Sequence, residues 1–299
     1  MEGLVKLAFY CFAASSFALA ASTVCYLVFA FGWMRDRSAG LATPGGAVVQ
    51  GGAFPNLSDT MGRYATMLAW FSVVFQGISI LLRSLAAGRL PLSNMYEFSK
   101  TFIFLVVLLY LIFERWYGVK QVGTIVMPIA LAMAAYVWSL PVGLREVDPL
   151  IPALQNVPLM TVHVSMGILA YATFAVAFGA AVLYLIAEGR SIAWLPNPDL
   201  LDDLGYRAVT VGFPALTLML ILGSIWAYRA WGSYWSWDPK ESAALFTWLV
   251  YGVYLHSRSL RGWRGKRSAW ILVFGFGATM FTYYGNYIFG GMHAYGGVN

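Results

Sequence analysis

Eight apolar runs, each near the length that crosses a bilayer, constrain this chain more than any single motif does. They fall at about 4–33, 64–85, 98–116, 122–140, 161–187, 208–228, 241–260 and 269–289. A hydrocarbon layer of about 30 Å takes roughly 20 helical residues, and backbone polar groups inside it must pair within the segment. Each run therefore reads as a transmembrane helix. With 60% hydrophobic residues, 11% charged residues and a mean hydropathy of +0.68, a soluble globular domain is excluded. The expected fold is all-α, a polytopic membrane bundle of about eight transmembrane helices forming a single membrane domain over residues 1–299. The first run contains Ala18-Leu19-Ala20 but stays apolar well beyond it, so it is read as a span rather than a cleaved leader. Residues 35–61 are polar, rich in Gly and contain Pro, which predicts a mobile cytoplasmic loop. Pro128 and Pro214 fall inside spans and are expected to kink them.

Counting Lys and Arg on alternate sides gives twelve on one side and seven on the other, decided chiefly by the stretch from Arg258 to Arg267. The positive-inside rule makes the richer side cytoplasmic and puts both termini on the outer side. The net charge of +6 is then loop anchoring and no sign of nucleic-acid binding. A charge-rich stretch at 188–207 roughly divides the bundle into five helices and three, and no internal repeat is visible. Cys11 and Cys25 are 14 residues apart in one run, about 21 Å along a helix, which is too far for a disulfide. Thiol exchange is not the chemistry of this chain, which has no CxxC.

Between the sixth and seventh runs lies Trp231-Gly232-Ser233-Tyr234-Trp235-Ser236-Trp237-Asp238-Pro239-Lys240-Glu241, preceded by Trp226 and Tyr228. On the topology above it faces outward. So much flat aromatic surface suits a planar apolar ligand, although Trp and Tyr also gather at bilayer interfaces on their own account. Asp238, Pro239 and Glu241 likewise have a structural reading, as the N-cap, first position and capping-box partner of the seventh helix. The chain holds three histidines. His163, near the outer end of the fifth helix, and His293, just after the eighth, both reach the level of the tryptophan loop. Two imidazoles beside an aromatic platform supply both axial positions of a haem iron; each alone would pass for an interfacial histidine. His256 lies 15 residues after Glu241, about 22 Å along its helix and inside the membrane, where an ionisable group is a functional candidate by default. Ser257 and Tyr254 are its nearby structural alternatives. Arg83, Arg89 and Arg229 are the arginines near the outer level, candidates to bind a haem's propionates or simply solvated loop residues. Glu97 is either a supporting group or a helix start.

The stretch from Trp231 to Arg258, WGSYWSWDPKESAALFTWLVYGVYLHSR, resembles the WWD signature of the haem-handling membrane proteins of cytochrome c maturation. Within that superfamily it is most similar to the CcsA/ResC-type proteins of the System II cytochrome c synthase. The motif from Gly88 to Glu97, GRLPLSNMYE, and the terminal GMHAY from Gly291 agree. The resemblance implies a haem-binding and haem-translocating subunit that carries haem b (iron protoporphyrin IX) to the outer face. There it would promote thioether attachment to CxxCH motifs of apocytochromes c, the implied activity being that of a cytochrome c haem lyase/synthase acting in a complex with a ResB-like subunit, CcsB. Thiol-reducing proteins would be further partners, and the bilayer a bacterial plasma membrane or a thylakoid membrane. The implied outer ligands are His163 and His293, with Trp231, Trp235, Trp237, Asp238 and Glu241 in the platform. His256 is the implied ligand of a haem within the membrane, whose second ligand would come from the partner. A haem exporter or chaperone without bond-forming activity is the alternative; an ordinary transporter, which would usually show more intramembrane polar residues or an internal repeat, is disfavoured.

Overall fold

The computed structural model describes residues 2–40, 57–190, 192 and 194–293. Among them every regular element is helical: α1 (Glu2–Gly40), α2 (Leu57–Ala87), α3 (Met95–Tyr117), α4 (Gly123–Ser139), α5 (Val157–Ala187), α6 (Pro198–Trp231), α7 (Pro239–Arg261) and α8 (Lys266–Phe289), with short 3-10 turns at 120–122, 142–145 and 152–154. Six of these helices are long and apolar enough to cross a membrane, by length and composition. In α7 the Trp, Tyr, Ser and His residues lower the hydropathy, yet it packs with α8 in the same bundle. The helices are those expected, but several are longer. The expected loop at 35–61 is helical as far as Gly40 and again from Leu57, and 41–56 lie outside the described residues. An apolar window finds the part of a helix inside a membrane, whereas Arg and Ala at its ends continue the helix equally well. Both α4 and α6 run through their prolines.

Helix α5 is the centre, packing against α3, α4, α6 and α8, with a buried surface dominated by Ala and Gly. Small residues let backbones approach where no hydrophobic drive between helices exists. At Gly212 of α6 a Cβ would stand 2.3 Å from the Thr173 hydroxyl, so only glycine admits this α5–α6 approach. The α5–α6 pair is among the most extensive in the bundle, so the 188–207 stretch does not part it; Asn197 caps α6 by accepting from Asp199 N–H, and residues 198–207 are already helix. Along the α1–α2 seam, Ser79, Ser15, Ser22 and Ser58 donate to the carbonyls of Ala8, Ser72, Ala65 and Phe29. Each such interhelical bond contributes about 0.6 kcal/mol in a membrane.

Helix α3 begins with Asn94 as N-cap, accepting from Glu97 N–H, and ends on left-handed Gly118. The Glu97 carboxylate is fully buried and receives Arg83 Nε at 2.7 Å, Arg89 Nη1 at 3.1 Å, and both the N–H and the hydroxyl of Ser93. Arg83 directs its two remaining nitrogens to the carbonyls of Arg145 and Glu146, and Asn94 donates to Leu144 O. Thus the α2–α3 turn and the α4–α5 connection are locked together at the end of the bundle that also carries the tryptophan loop.

Candidate functional site

The three stretches set apart by sequence converge on one half-open cavity. Its walls come from the 92–95 turn, the first turns of α5, the last turns of α6, the tryptophan loop with the start of α7, and the residues after α8. It encloses about 1160 Å³ of space unfilled by atoms, its open mouth included, and both His163 and His293 face it.

His163, in the second turn of α5, is placed by α6. Its Nδ1–H donates to Met219 O at 2.8 Å, and its ring lies parallel to Trp226, centroids 6.1 Å apart and planes 9° off. Gly223 makes the room, since a Cβ there would stand 2.6 Å from His163 Cε1. A carbonyl only accepts, so Nδ1 carries the proton and Nε2 keeps its lone pair.

His293 is placed by the start of α7. Asp238 is the N-cap, accepting from Lys240 N–H at 2.9 Å, while Glu241 reaches back to Asp238 N–H at 3.3 Å and Ser236 N–H at 2.8 Å. The capping box expected from sequence is therefore present. It is not all that Asp238 does: its carboxylate also accepts from Met292 N–H at 2.6 Å and from His293 Nδ1 at 3.0 Å. Burial works to raise the Asp238 carboxyl, and the His293 bond together with the backbone donors outweighs it, holding the group at about 2. Against this carboxylate His293 also carries its proton on Nδ1. Gly291, at φ 114, lets the chain after α8 pass close over Asp238; a Cβ there would stand 2.4 Å from Oδ2.

The aromatic residues divide. Trp226 and Trp235 line the cavity, and Trp226 also lies 5.6 Å from His293, so it contacts both imidazoles. Trp231 stands behind, edge to face with His293 at 5.2 Å and with Trp226 at 4.8 Å. Trp237 is not a wall residue: it is 71% exposed, meets Trp235 edge to face, and has φ 58, a left-handed backbone that a bulky side chain rarely adopts. Trp226 was legible only as one aromatic among many; its spacing from the loop carried no mark of its place between two histidines.

The remaining residues singled out by sequence lie elsewhere. Arg83 and Arg89 are paired with Glu97 and nearby carbonyls and do not line the cavity. Arg229 is exposed near the end of α6, also off the cavity. Glu97 proves to be both helix start and charge partner. His256 is exposed on the outer surface of α7 and hydrogen-bonds no described residue, while Ser257 and Tyr254 are buried on the opposite face. It lies on one stripe with Phe246, Leu249, Val253 and Leu260, all exposed.

The profile of the cytochrome c assembly protein family matches residues 92–293. The chain is 40% identical over 229 residues to the cytochrome c biogenesis protein CcsA of Chlamydomonas reinhardtii, covering 74% of this chain and 65% of that one. It is 35% identical to CcsA of Synechococcus elongatus, covering 82% of this chain and 91% of that one. The fold is similar to that of a solved cytochrome c haem lyase CcmF, with a TM-score of 0.64 at 17% identity, covering 94% of this chain and 46% of CcmF. The match reaches across all the cavity-forming stretches, from Leu92 to His293, and so the chain belongs to the cytochrome c assembly family of integral membrane proteins, with a role in cytochrome c maturation.

Proposed function

We propose that the chain is the haem-presenting subunit of a cytochrome c synthase, holding haem b between His163 and His293 for attachment to an apocytochrome. The observation that carries this is the pair of imidazoles facing one aromatic-walled cavity, each held in place through its Nδ1. Among the described residues no group of three or more His, Cys, Asp and Glu stands together to hold a metal. Two imidazoles are too few for a bare metal ion, but suffice for one that brings four equatorial ligands in a porphyrin. Trp226 and Trp235 offer apolar faces to such a ring. Haem is here the substrate. Each Cys S–H of a CxxCH motif adds across a vinyl C=C, so the thiols come from the apocytochrome and no redox partner is consumed in the bond itself. The protein contributes orientation: the Met219 carbonyl and the Asp238 carboxylate hold the two imidazoles at the cavity wall.

His256 supports a second haem position within the membrane. Exposed on α7 without a hydrogen-bond partner among the described residues, it is suited to a ligand pair completed by another polypeptide, the ResB-like subunit. We place the tryptophan loop on the extracytoplasmic or lumenal side, on the distribution of Lys and Arg. The test is reconstitution of the chain and a ResB-like subunit with haem and an apocytochrome. Thioether-linked product supports a synthase. Haem transfer without a covalent bond favours the exporter reading, and absence of bound haem contradicts both.

A further inference from the structure

The cavity that holds both histidines contains one further cation among its described wall residues, Lys240. It occupies the second position of α7, after the Asp238 cap and Pro239. Its backbone N–H caps the helix, but its ammonium makes no hydrogen bond and no ion pair with any described residue. Neither neighbouring carboxylate forms an ion pair with it, and each is engaged by other donors. Asp238 accepts from Lys240 N–H, Met292 N–H and His293, and Glu241 accepts from Ser236 N–H, the Ser236 hydroxyl and Asp238 N–H. An ammonium facing a largely aromatic space, on which Asp238 acts only from beyond ion-pair distance, is better satisfied by a ligand that brings its own carboxylate. The partial positive charge of the α7 N-terminus adds to the same demand. The arginines at this end of the bundle do not compete, since Arg83 and Arg89 are bound to Glu97 and Arg229 lies off the cavity.

We propose that Lys240 receives a carboxylate of the ligand seated between His163 and His293, so that the site recognises a planar metalloporphyrin by its acid edge as well as its metal. The assignment rests on the haem reading above. A flexible ammonium binds such a group as a point charge, without the fixed fork of arginine. It fixes which edge of the ring lies toward α7, and therefore which edge faces the mouth where an apocytochrome thiol must arrive.

The experiment is titration of the purified full-length chain with iron protoporphyrin IX and with its dimethyl ester, in which both carboxylates are blocked, following the Soret band. Wild type, Lys240→Met and Lys240→Arg are compared. Wild type is expected to bind the free acid about tenfold more tightly than the ester, a difference of about 1.4 kcal/mol. Lys240→Met should bind the ester as wild type does and lose the preference, while Lys240→Arg should keep most of it. A Lys240→Met protein that retains the wild-type preference, or that loses affinity for acid and ester equally, overturns the assignment. Failure of wild type to bind either compound overturns the haem reading itself, with the lysine assignment falling as a consequence.

Discussion

Asp238 joins two functions in one carboxylate: it caps α7 and, at 3.0 Å, accepts a hydrogen bond from His293 Nδ1. Helix start and ligand orientation are thus coupled, and two substitutions should separate them. Asparagine still caps a helix, so Asp238→Asn should cost less stability than Asp238→Ala, by about 1 kcal/mol. Both should loosen His293 and lower haem affinity. Wild-type affinity in Asp238→Asn would show that the carboxylate does not position the ring.

The same carboxyl gives a pH signature. Its folded-state value is held at about 2, below the ordinary 3.8, so its contribution to stability is complete above about pH 4 and is lost as pH falls through about 2. The gap in unfolding midpoint between wild type and Asp238→Asn should therefore close as pH falls from about 4 toward 2. A gap that widens on acidification contradicts this sign.

Gly223 is where α6 yields to His163. A methyl group 2.6 Å from the imidazole must displace it, because the α6 backbone cannot retreat as a side chain would. Gly223→Ala should cost about 1–3 kcal/mol by overpacking and reduce haem binding more than its size implies. Equal haem affinity in this variant would mean that His163 can be repositioned without loss.

Glu97→Gln should be among the most damaging single changes outside the cavity. It leaves Arg83, its side chain 3% exposed, buried without its counter-charge, a loss of about 3–5 kcal/mol. Ser93, which lines the cavity and donates both its N–H and its hydroxyl to this carboxylate, has its anchor weakened with it. An unfolding midpoint unchanged from wild type would contradict the account of this network.

How far the sequence was legible follows from which forces act locally. The eight helices were readable because bilayer thickness sets a length that hydropathy reports directly. The caps at Asp238 and Asn94 are likewise local chemistry, and His163 and His293 could be brought together from the topology alone. The partners of the arginines were not legible because a guanidinium's partner is chosen in three dimensions: nothing in the stretch around Arg83 announces that Glu97 and the carbonyls of Arg145 and Glu146 will surround it. Lys240 is hidden for the opposite reason, standing inside a capping motif whose local chemistry accounts for Asp238 and Glu241 and says nothing of the cavity its side chain lines. Trp237, prominent in the string, turns outward, while the quieter Trp226 touches both imidazoles.

His256 makes a prediction about a partner. Haem per mole should rise when the chain is produced with a ResB-like subunit that contributes an intramembrane histidine, and His256→Ala should erase the rise while leaving the His163–His293 site competent. Equal haem with and without the subunit, in both wild type and His256→Ala, would make this exposed histidine a bystander.

The most direct measurement of the central claim is the low-temperature electron paramagnetic resonance spectrum of the ferric-haem complex of wild type, His163→Ala and His293→Ala, each with and without added imidazole, in a His256→Ala background that removes the other site. The account predicts a low-spin bis-imidazole signal in the parent, its loss in each single variant, and its partial return when imidazole fills the vacant axial position. An unchanged low-spin signal in both variants would contradict the assignment of His163 and His293 as the two ligands.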